Sequence, residues 1–130
     1  MPNNTIVLND LAYFLAENNE RLSEALQYAR RALDEQPNNP GYLDTYAYVL
    51  HRKGENSKAL EFVMASLQQY QQQNVLVPAL VYEHKGLIKE ALGSKDDALT
   101  AYKKALLTED DNLSQAVRQR LNNAVERLSR

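Results

Sequence analysis

A chain of 130 residues with 44% hydrophobic and 25% charged residues, four glycines and four prolines has room for one folded core and little for flexible linkers. Seventeen acidic against 15 basic residues give a net charge of -2, which argues against the broad basic surface that nucleic acid requires. The absence of cysteine excludes a disulfide framework, a thiolate nucleophile and a cysteine metal site, and no apolar run approaches a membrane span.

The start, Met1-Pro2-Asn3-Asn4, has neither the basic residues nor the apolar stretch of a signal peptide, so the cytoplasm is the default compartment. Leu8, Leu11, Ala12 and Leu15 then recur at helical spacing. After a break at Asn18-Asn19, the stripe Ala25, Tyr28, Ala29, Ala32 and Leu33 predicts a facing helix, and Pro37-Asn38-Asn39 closes a unit over about 5–39. A second unit, about 40–73, sets Leu43, Tyr46, Ala47 and Leu50 against Ala59, Val63 and Leu67 across the turn Gly54-Glu55-Asn56. In the third, about 78–110, Tyr82 and Gly86 precede Gly93-Ser94, followed by Ala98, Tyr102, Ala105 and Leu106. Gly54 and Gly93 suit the positive φ that ends a helix. Asn112 with Gln115 forms a candidate capping pair, and Leu113, Val117, Leu121, Val125 and Leu128 make one face of a capping helix over about 112–128.

The pairs Ala25-Leu26, Ala59-Leu60 and Ala98-Leu99 mark one recurring unit, the first two alanines standing 34 residues apart. The second interval is 39 residues, so an insertion falls around Gln68 to Leu76. No proline stands there, and the glutamine run predicts a second helix prolonged to about Asn74, with Pro78 in the first turn of the next.

These residues closely resemble the tetratricopeptide repeat (TPR) family over nearly the whole chain. The resemblance implies an all-α superhelix of three helix-turn-helix repeats plus the capping helix, acting as a protein-protein interaction scaffold. Pro2-Asn3-Asn4 repeats Pro37-Asn38-Asn39, as though the chain began at the tail of a further repeat. On that reading Met1 is an added start and the chain is the C-terminal piece of a larger bacterial-type TPR protein; a chance turn is the alternative. Lys85 and Lys89 depart from the pattern, standing where the family has leucine and another large residue. A rotation that turns Leu80, Leu87, Ile88 and Ala91 inward is favoured over snorkelling lysines, and an anion site of His84, Lys85 and Lys89 is a third option.

The resemblance further implies a concave groove lined by the first helix of each repeat. It would contain Asn9, Tyr13 and Ala16, then Asp44, Tyr48 and His51, then Glu83, Leu87 and Glu90. Such an acidic, aromatic groove suits a peptide or protein partner of basic character, unless Tyr13 and Tyr48 simply pack between repeats. Tyr13, Asp44 and Glu83 stand in place of the cations and amides with which some relatives clamp a C-terminal carboxylate, so an acidic tail is disfavoured. His51 and His84, the only histidines, lack ligand spacing for a metal, and no phosphate loop or nucleophile elbow is present. Neither catalysis nor a cofactor is expected.

Charge is unevenly spread, with three basic against seven acidic residues in 1–50, while Arg118, Arg120, Arg127 and Arg130 face only Glu126 in 112–130. The asymmetry admits weak self-association as a structural alternative to docking, and the arginines a remote nucleic-acid contact.

Overall fold

The computed structural model describes residues 4–130. Among them, seven helices follow in order: α1 (Thr5–Glu17), α2 (Leu22–Glu35), α3 (Pro40–Arg52), α4 (Asn56–Gln72), α5 (Ala79–Ala91), α6 (Lys95–Leu107) and α7 (Gln115–Leu128). Short turns fold α1 on α2, α3 on α4 and α5 on α6, and successive hairpins stack through α2–α3 and α4–α5. Contacts of α3 with both α1 and α5 bring the three first helices side by side, and α7 covers α6.

The same stop signal recurs at the end of each first helix. Asn19, Gly54 and Gly93 adopt positive φ, and the following N–H of Glu20, Glu55 and Ser94 donates back to the carbonyl of Leu15, Leu50 and Lys89. This satisfies carbonyls that a helix end otherwise leaves orphaned. The start signal also recurs: Asn4 Oδ1 accepts from Ile6 N at 2.9 Å, and Asn39 Oδ1 from Tyr42 N at 3.1 Å, with Pro40 opening α3. Asn4 and Asn39 thus do the same work, while Met1, Pro2 and Asn3 lie outside the described residues.

Small residues stand where helices cross. Ala12, Ala25, Ala32, Ala47, Ala59, Ala98 and Ala105 are wholly buried, letting backbones approach closely. One core joins α1 to α4 with Val81 and Ile88 of α5; a second joins Ala98, Tyr102 and Ala105 of α6 to Leu121, Ala124 and Leu128 of α7. Leu87 packs on both.

Helix α4 runs on to Gln72, and Asn74, with φ of 54°, ends it before a non-helical stretch over 75–77. Pro78 precedes α5 as its cap residue rather than entering its first turn, and Asp110 serves instead, its Oδ2 accepting from Ala79 N at 2.9 Å. The expected Asn112–Gln115 cap does not form. Asp110 Oδ1 takes the N–H of Asn112, so α7 starts later, with Ser114 Oγ accepting from Val117 N at 3.2 Å.

The rotation expected of α5 is not observed either. Of Leu80, Leu87, Ile88 and Ala91 only Ile88 is fully buried, and Ala91 is exposed. Glu83 and His84 turn inward because each has a partner of opposite character, so α5 keeps a polar stripe where an apolar one was expected. The half-buried lysine stems lie along apolar surface, and Lys89 reaches Asp97 at 3.4 Å.

Candidate functional site

Each first helix contributes one polar turn to the shared inner face. From α3, Asp44 meets His84 of α5, whose Nδ1 lies 2.9 Å from both carboxylate oxygens. From α1, the Tyr13 hydroxyl sits 3.5 Å from His84 Nε2. The Tyr48 ring stacks on the imidazole, centroids 4.3 Å apart and planes 17° from parallel, and lies 5.2 Å from Tyr13. Three hairpins are therefore tied together through one buried imidazole.

Burial opposes a charge on His84, which is 2% exposed, but the Asp44 carboxylate and its hydrogen bond, aided by Glu83 and Glu17, hold its pKa above the ordinary histidine value. His51 moves the other way. Burial lowers its pKa despite the bond between its Nδ1 and Asn56 Oδ1 at 2.6 Å. The Tyr48 hydroxyl is pushed up to about 12, by burial first and then by Glu17, and Tyr13 is raised for the same reasons.

Glu83 and Glu90 are not free. Buried Glu83 receives a two-pronged bond from Arg120 of α7, with Nη2 donating to Oε1 at 2.8 Å. One level along, Arg127 grips Glu90 at 2.7 and 2.9 Å, and Tyr102 donates to the same carboxylate at 2.7 Å. Arg127, and then Tyr102, hold the Glu90 carboxyl below its usual range. Both pairs join residues 37 apart in sequence, so α5 and α7 run in the same direction.

Between these walls lies a cavity of about 330 Å³ whose lining includes Glu17, Tyr48, Arg52, Leu87, Arg120 and Asn123. Of the residues singled out in the sequence, Tyr48, Glu83 and Leu87 line it, while Asp44 and Tyr13 support its floor through His84. Asn9 lies further along α1, its Oδ1 buried without a hydrogen-bond partner, and Ala16 is covered, its carbonyl accepting from Arg52 at 3.0 Å. His51 flanks Tyr48, and Glu90 is held at the α7 side.

The expected option of an anion site from His84, Lys85 and Lys89 fails geometrically. His84 turns to Asp44, whereas both lysines line a different cleft. No group of three His, Asp or Glu side chains that could hold a metal occurs among the described residues, and none of their helices is long and apolar enough to cross a membrane.

Sequence reasoning missed Arg120 and Arg127 as wall residues. The available signal was their seven-residue spacing, which repeats that of Glu83 and Glu90 and lets two successive levels pair between parallel helices.

No family model matches the sequence. The TPR repeat-containing protein PA4667 of Pseudomonas aeruginosa is 32% identical over 69 residues, a match covering 53% of this chain and 12% of the relative. The structure is similar to the Sgt2 TPR domain from Aspergillus fumigatus, with a TM-score of 0.74, 20% identity and coverage of 96% of this chain and 79% of that one. The Arabidopsis OM64 TPR domain gives 0.74, 15% identity and coverage of 95% and 93%. The first TPR of Spaghetti (RPAP3), bound to the HSP90 peptide SRMEEVD, gives 0.72, 17% identity and coverage of 97% and 96%. The fold is thus that of a TPR domain, an all-α array of helix-turn-helix repeats.

Proposed function

We propose that the chain is a non-catalytic scaffold that docks a peptide or partner protein in the groove between the first helices and α7. The observation that carries this reading is the cavity whose apolar surfaces, Tyr48 and Leu87, lie beside charged groups of both signs, Glu17 and Arg52. That mixture suits a peptide, whose backbone and side chains are themselves mixed. The Spaghetti neighbour, bound to a peptide, supports docking as the use of such a fold. A basic segment would engage Glu17, the lining carboxylate with no cation within 4.0 Å among the described residues, since Asp44 is buried against His84 and arginines hold Glu83 and Glu90. It reaches Glu83 or Glu90 only by replacing an arginine.

The test compares proteins retained by the chain with those retained by a Glu17→Lys, Leu87→Ala variant, which spares the Asp44–His84 tie. A partner lost from the variant while helicity persists supports the groove. Equal retention by both assigns docking to another face.

A second reading, self-assembly, is favoured by an apolar strip on α1. Ile6, Val7, Leu11 and Phe14 are exposed, Phe14 to 60%. A repeat preceding α1, or a second copy, would cover it.

A further inference from the structure

A cleft of about 880 Å³, larger than the groove cavity and sharing no lining residue with it, lies between α4, α5 and α6. It opens where the repeat period breaks, because Val75 and Leu76 of the inserted stretch form part of its wall with Met64 of α4 and Leu107 of α6. All four side chains are exposed, Leu76 to 64% and Leu107 to 82%. Lys85, Lys89 and Lys104 line the same cleft.

The charges there are unbalanced. Lys89 is paired with Asp97, but neither Lys85 nor Lys104 has a carboxylate within 4.0 Å among the described residues, although Glu109 also lines the cleft. Lys104 lies 5.2 Å above the Tyr82 ring. Burial, with Lys89 and Lys104 nearby, lowers the Lys85 pKa, the mark of an ammonium short of counter-charge.

We propose that this cleft is a second docking site, taking a partner segment that carries leucine-like side chains beside carboxylates. The apolar wall would receive the former and the Lys85 and Lys104 ammonium groups the latter. A peptide fits better than an alkyl anion, since Gln71, Thr100 and Thr108 also line the cleft and would leave a hydrocarbon chain against polar surface. Its preference for carboxylates would set it apart from the groove, where Glu17 and Arg52 offer charges of both signs.

The probe is a fluorescent amphipathic peptide of leucine and glutamate, with a leucine–lysine peptide, a glycine–glutamate peptide and decanoate as comparators. Binding of the first peptide should weaken about tenfold or more in Lys85→Glu, Lys104→Glu, and also in Leu76→Ser, a surface change that leaves the core untouched. Amide resonances of Leu76 and Tyr82 should move and that of Tyr48 should not. Failure of the peptide to bind, equal affinity for the lysine or glycine comparator, or indifference to both variants would overturn the proposal. Shifts at Tyr48 instead would move the peptide to the groove, and saturable decanoate binding without peptide binding would make the cleft a site for lipid-like anions.

Discussion

A β-carbon on Gly86 would stand 2.5 Å from Cε1 of Tyr102, a ring only 1% exposed whose hydroxyl is fastened to Glu90. Burial and the bond to Glu90 restrain the ring from moving away. Gly86→Ala should therefore destabilise by about 1–3 kcal/mol in urea unfolding, overriding the helix preference of about 1 kcal/mol that alanine brings. A variant as stable as the parent would mean that the ring can swing aside. His84 makes a second residue-scale prediction. Its folded-state pKa is raised, so its stabilisation is complete below the unfolded value of about 6.5 and is lost as pH rises through the folded value. Unfolding measured at increasing pH should show stability declining from about pH 6.5 upward, with the decline attenuated in Asp44→Asn. The two imidazoles should separate in an NMR titration, His84 above the ordinary value and His51 below it. A reversed order would remove the charged pair from the account.

At the scale of elements, α7 does more than cover the last hairpin, because its arginines neutralise carboxylates on a helix 37 residues earlier. The two ion pairs should be unequal. Glu83 is 4% exposed, so Arg120→Ala leaves a buried carboxylate without its cation and should cost about 1–3 kcal/mol, less than a fully buried pair because Arg120 itself is half exposed. Arg127→Ala breaks a pair at the surface and should cost about 0–1 kcal/mol, with Tyr102 still bonded to Glu90. Chemical denaturation of both variants checks the order, and equal losses would refute the burial argument. The helices and turns were legible in the sequence because their signals are local, namely apolar spacing, Gly54 and Gly93, and the Pro-Asn-Asn triplet. The inner face was less so. Tyr48, Glu83 and Leu87 could be placed from the repeat pattern, but the inward turn of His84 depends on Asp44, 40 residues away, and the state of Glu83 depends on α7. Lys85 and Lys89 misled for a related reason: periodicity assigns apolar residues to buried positions, whereas here buried polar groups satisfy one another.

Over the whole molecule, the acidic first half and basic last helix suggest copies meeting end to end through opposite charge, but the ion pairs weaken that route. Arg120, Arg127 and Arg130 are engaged by Glu83, Glu90 and Glu126 of the same chain, so association by charge alone would have to compete with contacts already made. The strip on α1 has no such internal competitor. Val7, Leu11 and Phe14 fall at four- and three-residue steps on one side of the helix, all exposed. If copies associate, that strip is expected to be the contact, and its apolar character sets the salt response. Sedimentation over a range of protein concentrations should detect an association that Phe14→Glu abolishes without loss of helicity, and that added salt leaves intact because screening acts on charges rather than on buried apolar area. An association dissolved by salt and retained by Phe14→Glu would instead return the contact to the charged ends, with the arginines of α7 exchanging partners between copies.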